Sequence, residues 1–250
     1  MRTIELSKFS DYNSISQKII CGKVYPMSVT QGFQQGRIYE LEDCVLIWHY
    51  SGFCFVSGTP SETDCESIFE LMNNAKSDAK RLVLFCESKS LAEAFVRCDV
   101  CVENRSFYEF AQKRPNDIIL PGGFEIKELD ERLLSRLDGH ITPSFSWESS
   151  KRFLENGKGF CAVCGDTPAA WAFSAAVSDT EIDIGVETLE LFRGKGLAAA
   201  VAGKMAEYVL CAGKKPVWAC HADNTASHRT ALKVGFKKVN ECFIVRLACR

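Results

Sequence analysis

The second half of the chain alternates between two hydrophobic patterns. Apolar residues at every second position, and short continuous apolar runs, are typical of strands, whereas apolar residues three and four positions apart are typical of helices. The first pattern predicts strands at 124–129, 158–164, 169–177, 181–188, 215–221 and 236–247. The second predicts helices at 130–138, 146–154, 197–212 and 225–234. This order of elements is typical of an α+β domain.

The first half repeats much of this order. Strand patterns occur at 36–42, 44–49, 52–56 and 81–86. Helices are predicted at 11–21 and after the candidate N-cap residues Ser61 and Ser90, because a serine oxygen can accept a hydrogen bond from the first helical turn. Residues 106–111 fit either a strand or a helix.

A predicted linker lies between the two halves. Residues 115–123 contain two prolines, and the second of them opens the sequence Pro121-Gly-Gly. Proline and glycine together interrupt regular structure and are typical of a connecting segment. We therefore predict a first domain over residues 1–120 and a second over residues 121–250.

A glycine-rich loop, Arg193-Gly-Lys-Gly196, separates the strand predicted at 181–188 from the helix predicted at 197–212. The first N–H groups of a helix have no partner within the helix, and the helix dipole makes that end positive. Glycine lets a phosphate approach the backbone closely because it has no Cβ. Together with the charges of Arg193 and Lys195, these features predict a pyrophosphate-binding loop.

Two other phosphate-binding motifs fit this loop poorly. A Walker A motif requires lysine and then serine or threonine after its last glycine, and here leucine and alanine follow. The strand before a dinucleotide-binding loop is a buried apolar run, whereas this strand carries Glu181, Asp183 and Glu187. The loop therefore belongs to a different class of phosphate site.

Composition narrows the range of partners. The 250 residues are 46% hydrophobic and 25% charged, and their formal net charge is -2. A nearly neutral chain has no overall field that would attract nucleic acid or an anionic membrane. No apolar run reaches the roughly 18 residues that span a bilayer. The N-terminus lacks the apolar core of a signal peptide, so we expect a cytoplasmic protein.

The 13 cysteines do not indicate disulfides or a metal site. An odd number of cysteines in a chain of this size, without an export signal, is typical of reduced thiols. Cys161 and Cys164 lie in a predicted strand, where positions three apart point to opposite faces and cannot share a metal. Cys98 and Cys101 could close a turn, but no further ligand is nearby in the sequence. We predict no metal.

Two motifs resemble the GNAT superfamily of acetyl-CoA-dependent N-acetyltransferases. The segment from Arg193 to Ala198 fits Arg-x-x-Gly-x-Ala and resembles motif A of the superfamily. The segment from Asn224 to Phe236, which ends in Lys-x-Gly-Phe, resembles motif B. One helix and one strand separate the two motifs, as in the superfamily, and the resemblance covers residues 124–247.

Three shorter segments resemble the branch of bacterial GNAT proteins that is grouped with the zwittermicin A self-resistance acetyltransferase. They are Gly185-Val-Glu-Thr, Trp218-Ala-Cys-His and Ser146-Trp.

The resemblance implies an α+β fold, with the GNAT fold in the second half. That fold is a mixed, mostly antiparallel twisted sheet flanked by helices. The first half lacks the glycine loop, because Ser57-Gly-Thr-Pro-Ser-Glu-Thr-Asp64 stands in its place. Proline and two acids there suit a phosphate badly. The first half is therefore either a degenerate GNAT-like domain that arose by duplication or an unrelated α/β domain.

The resemblance also implies acetyl-CoA as the cofactor. The residues implied to bind it are Val186, Thr188, Arg193, Gly194, Lys195, Gly196, Leu197, Ala198, Asn224 and Ser227. The glycine loop would hold the pyrophosphate. Thr188 would face the thioester, in a gap where its strand diverges from the next. Asn224 would hold the pantetheine arm, and it can also serve as the N-cap of the following helix.

Acetyl transfer needs a neutral amine, so a base must take its proton, and the departing thiolate must gain one. Glu187 and Glu181 are candidate bases, with a solvated strand charge as the alternative for each, and His221 is a third candidate. Many relatives have a tyrosine four residues before the glycine of Lys-x-Gly-Phe, where this chain has Ala231. The remaining candidates for the thiolate's acid are His228, Tyr208 and water.

Two functions are consistent with the sequence. The first is an N-acetyltransferase that moves the acetyl group of acetyl-CoA to a primary amine of a small molecule, by direct transfer in a ternary complex. The second is an acyl-CoA-binding sensor or regulatory protein with little activity, which the alanine at position 231 favours. The acceptor, and whether the protein is a homo-oligomer, are open at this point.

Overall fold

The computed structural model describes residues 1–77, 81–96, 100–112, 115 and 117–248. Its contacts divide the chain into two compact units. Unit 1 consists of Met1–Ser106 and Asn240–Arg250, and unit 2 consists of Phe107–Val239. Units defined by contacts need not coincide with domains that fold alone. The domains predicted at 1–120 and 121–250 therefore stay a prediction.

Strands and helices alternate along both units. The strands are β1 (Arg2–Thr3), β2 (Gly36–Glu40), β3 (Cys44–His49), β4 (Phe53–Gly58), β5 (Val83–Cys86), β6 (Val100–Phe110), β7 (Glu125–Glu128), β8 (Gly159–Cys164), β9 (Thr167–Val177), β10 (Glu181–Thr188), β11 (Lys215–His221) and β12 (Phe236–Leu247). The α-helices are α1 (Asn13–Ser16), α2 (Val24–Thr30), α3 (Glu62–Ser77), α4 (Lys89–Glu93), α5 (Glu131–Leu134), α6 (Ser150–Asn156), α7 (Leu197–Cys211) and α8 (Thr225–Val234). Short 3-10 helices cover Leu6–Tyr12, Pro143–Phe145 and Glu190–Phe192.

Each unit contains the same arrangement of strands. In unit 1, β1 to β4 are antiparallel neighbours, and α3 connects β4 to its parallel neighbour β5. In unit 2, β7 to β10 are antiparallel neighbours, and α7 connects β10 to its parallel neighbour β11. A parallel pair needs such a crossover helix, because the chain must return to the same end of the sheet. The predicted α+β class, with a mostly antiparallel sheet flanked by helices, is confirmed.

Unit 1 has a core on each face of its sheet. On one face, α3 packs Ile68 and Met72 against Leu46 and Leu84. On the other face, the 3-10 helix near the N-terminus and α2 cover a second cluster that includes Ile38. Both faces are therefore buried, which explains why β3 and β4 are nearly continuous apolar runs.

The core of unit 2 is built around β9, whose residues are buried from Pro168 to Val177. Small alanines on this strand allow α7 to lie close to the sheet, and α7 contributes Met205 and Val209 to the buried interior. Trp171 and Phe173 are among the largest fully buried side chains of the protein. The helix and strand predicted around the glycine loop are thus anchored by burial of their apolar residues.

Local patterns gave wrong details in the first half. The predicted helix at 11–21 is a 3-10 helix followed by the single turn α1, and α2 was not predicted. The helix after residue 87 is capped by Ser88, whose Oγ accepts a hydrogen bond from the N–H of Leu91 at 3.1 Å, rather than by Ser90. Residues 106–110 belong to the strand β6. These segments are short, so burial against the sheet outweighs their weak local preferences.

The N-terminus of α3 is closed by its own residues. The Asp64 N–H donates to Ser61 Oγ at 3.2 Å, and the Ser61 N–H donates to Asp64 Oδ2 at 3.3 Å, a reciprocal capping arrangement. The Asp64 carboxylate also accepts from the N–H groups of Glu42 and Asp43, at 3.2 and 3.1 Å. Burial raises the pKa of Asp64, but these backbone donors outweigh it and hold the pKa below its usual value. A carboxylate of the chain itself thus occupies this helix end.

We expect Asp64→Asn to destabilise unit 1 by about 1–3 kcal/mol at pH 7, because an amide oxygen cannot satisfy all of these donors. Because folding lowers the pKa of Asp64, its contribution is complete above the unfolded pKa of about 3.9. It is lost as the pH falls through the folded pKa. Urea unfolding at pH 7 and at pH 3 measures the loss of unfolding free energy that the substitution causes. Asp43→Asn, at an exposed position, is the control. Equal losses of stability in both variants would contradict the assignment.

Candidate functional site

The strands β10 and β11 separate towards their C-terminal ends. They pair only through Glu181, Ile182 and Asp183, which lie opposite residues 215–217. A register irregularity follows Asp183, and β10 then continues beside β9 as far as Thr188, opposite Ala170. The ends of two parallel neighbours therefore lose their shared hydrogen bonds, and a gap opens between them.

The glycine loop lies at the end of this gap. Gly194 and Gly196 have φ angles of +76° and +80°, in the left-handed region that favours glycine. Gly196 is the N-cap of α7, and no side chain caps this helix. A Cβ on Gly194 would have no heavy atom within 4 Å. The first turn of α7 is therefore open to an anion, in contrast to the closed first turn of α3.

A cavity of about 670 Å³ joins the gap to the loop. Its lining comes from the end of β10, the middle of β11, the segment before α7, the first turn of α7 and one side of α8. The lining residues are Val186, Glu187, Thr188, Phe192, Arg193, Gly194, Gly196, Leu197, Ala198, Ala199, Trp218, Asn224, Ala226, Ser227, Arg229, Thr230 and Lys233. Nine of the ten residues predicted for coenzyme binding line this cavity, and Lys195 is the exception.

Residues on α8 add positive charge that was not among the predicted binding residues, although Lys233 is the lysine of the Lys-x-Gly-Phe motif. Arg229 and Lys233 line the cavity together with Arg193. The Nζ of Lys233 lies 3.8 Å from the position that a Cβ on Gly196 would occupy, so this cation stands beside the open end of α7. The spacing of Arg229 and Lys233, four residues apart, was the available signal, because such residues share one face of a helix.

Polar groups near the gap divide into those already used and those still available. Asn224 Oδ1 accepts the N–H of Ser227 at 3.0 Å, so Asn224 is the N-cap of α8. Trp218 Nε1 donates to Ser227 Oγ at 3.0 Å. In contrast, Thr188 Oγ1 is buried and has no hydrogen-bond partner in the described part of the chain. A buried hydroxyl without a partner is costly, and this one lies in the wall of the cavity.

The three candidate bases lie in different places. Glu187 lines the cavity, and its Oε2 accepts the N–H of Ile141 at 2.6 Å. Glu181 begins β10, at the end of the strand where β10 and β11 are still paired. His221 ends β11 and does not line the cavity. Of the three candidate bases, Glu187 is the one that lines the cavity.

Neither side chain named as a substitute acid lines the cavity. His228 contacts the Tyr108 hydroxyl through Nδ1 and lies 2.9 Å from the carbonyl oxygen of Ala222 through Nε2. Since a carbonyl can only accept, Nε2 carries a proton in this contact. Tyr208 packs against Phe160. Ala231 is fully buried.

The structure also bears on whether cysteines could bind a metal ion and whether a helix could cross a membrane. Cys161 is buried and Cys164 is exposed, as opposite faces of β8 require. Cys98 lies outside the described residues, so the turn that it could close with Cys101 stays a prediction. Within the described ranges, no group of three or more potential ligands could hold a metal ion. None of the helices in those ranges is long and apolar enough to cross a membrane.

Comparison with known proteins identifies the family. The family model described as GNAT acetyltransferase matches residues 23–244. The chain belongs to the GNAT acetyltransferase family. The protein is therefore an N-acetyltransferase of the GNAT type.

Individual relatives extend over most of the GNAT chain. The sequence of this protein is 27% identical over 198 residues to that of the uncharacterized N-acetyltransferase YdfB of Bacillus subtilis, and the match covers 76% of each chain. It is similar in structure to a GCN5-related N-acetyltransferase-like protein from Streptococcus suis, with a TM-score of 0.76 at 19% identity over 97% of this chain and 100% of the other. A tandem GNAT protein from the clavulanic acid biosynthesis pathway gives a TM-score of 0.59 at 11% identity, over 98% and 95%. These structural similarities concern the fold, and they agree with the GNAT fold expected from the motifs.

The capping role of Asn224 has a measurable consequence. We expect Asn224→Ala to lower the free energy of unfolding by about 1 kcal/mol, because the first turn of α8 loses its side-chain acceptor. Asn224→Asp keeps an oxygen at the same position and serves as the matched control. Chemical denaturation of both variants tests this. An alanine variant as stable as the aspartate variant would show that the cap contributes nothing.

Proposed function

We propose that this GNAT protein transfers the acetyl group of acetyl-CoA to a primary amine of a small molecule within a ternary complex. The observation that carries the proposal is the continuous cavity from the open N-terminus of α7 to the gap between β10 and β11. One end of the cavity suits a pyrophosphate, and the other end contains a carboxylate that can take a proton.

The residues of the cavity fit coenzyme A. The glycine loop and the first turn of α7 offer backbone N–H groups, and Arg193, Arg229 and Lys233 supply positive charge. The unpartnered hydroxyl of Thr188 would gain a hydrogen-bond partner. The unpaired edge of β10 beyond Asp183 offers backbone groups to the amides of an extended arm. Lys195 does not line the cavity and would act through its charge alone.

The chemistry assigns a role to Glu187. Bound acetyl-CoA would supply a thioester whose C–S bond breaks as the amine nitrogen forms its bond to the acetyl carbon, with the electron pair leaving on sulfur. Glu187 would accept a proton from the amine, at the carboxylate oxygen that Ile141 does not hold. Solvent water would return a proton to the sulfur. Glu181 and His221 do not line the cavity, so the proposal uses Glu187 as the base.

Unit 1 is proposed to be a degenerate GNAT-like domain. It repeats the strand arrangement of unit 2, but Asp64 closes the helix end that would have to hold a phosphate. The tandem GNAT protein named above offers a precedent for two such halves in one chain. Membership of the branch grouped with the zwittermicin A self-resistance acetyltransferase stays part of this proposal. It rests on short segments such as Trp218-Ala-Cys-His.

Coenzyme binding can be tested without an acceptor. We expect Lys233→Ala to weaken acetyl-CoA binding roughly tenfold, or about 1.4 kcal/mol, because a cation beside the phosphate site is lost. Lys204→Ala is the matched control, since Lys204 is an exposed lysine of α7 that pairs with Glu207 and lies outside the cavity. Calorimetry at low and high salt should show that the difference in acetyl-CoA affinity between the two variants becomes smaller at high salt, because salt screens the charges. Equal affinities for both variants would place the phosphates elsewhere.

Catalysis can be tested with a panel of primary amines and detection of the free thiol. We expect Glu187→Gln to lower kcat about 10²-fold or more, with little change in the KM for acetyl-CoA, because the base is lost and the cavity keeps its shape. Glu190→Gln, at an exposed acid outside the cavity, should behave as wild type. Tight binding of acetyl-CoA with no thiol released for any amine would favour the sensor function instead.

A further inference from the structure

The side chain of Glu187 faces a network that holds one of its oxygens. Glu187 on β10 lies directly opposite Trp171 on β9, so the two side chains share one face of the sheet. Val186 and Thr188 are neighbours of Glu187 along the strand, and they point to the other face. The Glu187 carboxylate and the side chains of Val186 and Thr188 therefore lie on opposite faces of the sheet.

The main chain of Ile141 connects the two side chains. Its N–H donates to Glu187 Oε2 at 2.6 Å, the short distance of a charge-assisted hydrogen bond. Its carbonyl oxygen accepts the N–H of Trp171 Nε1 at 2.8 Å. Trp171 is 0% exposed and packed in the core, so its ring is a fixed anchor for the loop. Ile141 is therefore held on one side by the core and holds the carboxylate on the other.

Gly139 completes this arrangement by leaving room for the carboxylate. A Cβ at position 139 would lie 2.4 Å from Glu187 Oε2 and 2.6 Å from Trp171 Cζ2. Both distances are too short for real contacts, so any larger residue must displace the carboxylate or the loop. The turn that follows this loop is closed by its own hydrogen bond, in which the N–H of Phe145 donates to the carbonyl oxygen of Thr142 at 2.9 Å.

We propose that Trp171 is a positioning residue that orients the Glu187 carboxylate through the main chain of Ile141. With Oε2 held by the Ile141 N–H, the orientation of the carboxylate, and with it the direction of the other oxygen, is fixed before the acceptor binds. The inference rests on the proposed function, in which Glu187 is the base. It assigns the loop at 139–141 and the buried tryptophan to the acceptor side of the site.

The test removes the indole donor while keeping an aromatic ring. We expect Trp171→Phe to lower kcat on the order of tenfold, with an unchanged KM for acetyl-CoA, because small displacements of a positioned group are costly. Trp147→Phe is the matched control. Trp147 is equally buried, at 1% exposure, and donates to the carbonyl oxygen of Ser174 at 2.8 Å, but it has no hydrogen bond to Ile141 or Glu187. It should lose stability and keep its kcat.

A double-mutant cycle separates positioning from a general structural effect. In a Glu187→Gln background, Trp171→Phe should cause no further loss of kcat, because the tryptophan acts only through the carboxylate. If the two losses multiply, Trp171 acts through the fold, and the inference fails while the role of Glu187 stands. If Glu187→Gln keeps full activity, the base has been assigned wrongly, and the positioning role fails with it.

A second variant guards against a tryptophan variant that does not fold. Gly139→Ala should also lower kcat about tenfold and should also lose its effect in the Glu187→Gln background. Gly122→Ala is the control, because a Cβ there would meet no heavy atom within 4 Å. Wild-type kcat in Gly139→Ala, with Glu187→Gln inactive, would overturn the proposal that this loop positions the base.

Discussion

The site depends on the point at which β10 and β11 stop pairing. Parallel strands share regular hydrogen bonds only while their backbones stay side by side. Here that pairing ends after Asp183, and β10 remains held by β9 to its last residue. The divergence is therefore supported from one side, and the free backbone edge, the glycine loop and one side of α8 can surround a single cavity.

The two units show how one strand arrangement can support different helix ends. In unit 2, α7 begins at a left-handed glycine without a side-chain cap, and its N–H groups stay open to a ligand. In unit 1, Asp64 satisfies the corresponding helix end and two backbone donors of a neighbouring loop. A bound carboxylate stabilises the fold of its unit but removes the positive end that an anion would need. The difference is made by a few residues and leaves the sheet intact.

Much of the fold followed from local pattern. The strands from residue 124 onward and the helices α7 and α8 were predicted from periodicity, because each has a continuous face that the core buries. The helices predicted at 130–138 and 146–154 are shorter in the structure, where α5 covers Glu131–Leu134 and α6 begins only after its N-cap Ser149. The short helices near the N-terminus were not predicted from periodicity, because α1 and α2 are too brief for a periodic signal and are shaped by packing on the sheet. The glycine loop was also predictable, since its function is local: backbone geometry and a helix end in consecutive residues.

The sequence by itself therefore determined the family, the α+β class and the position of the glycine loop. Only the tertiary structure distinguished Glu187 from Glu181, because both occur on one strand and differ in whether the neighbouring strand has already diverged. It also brought Lys233 to the loop and Trp171 to the main chain of Ile141. These contacts join segments far apart in the chain, and no local pattern encodes them, because they arise from how the helices and loops pack on the sheet.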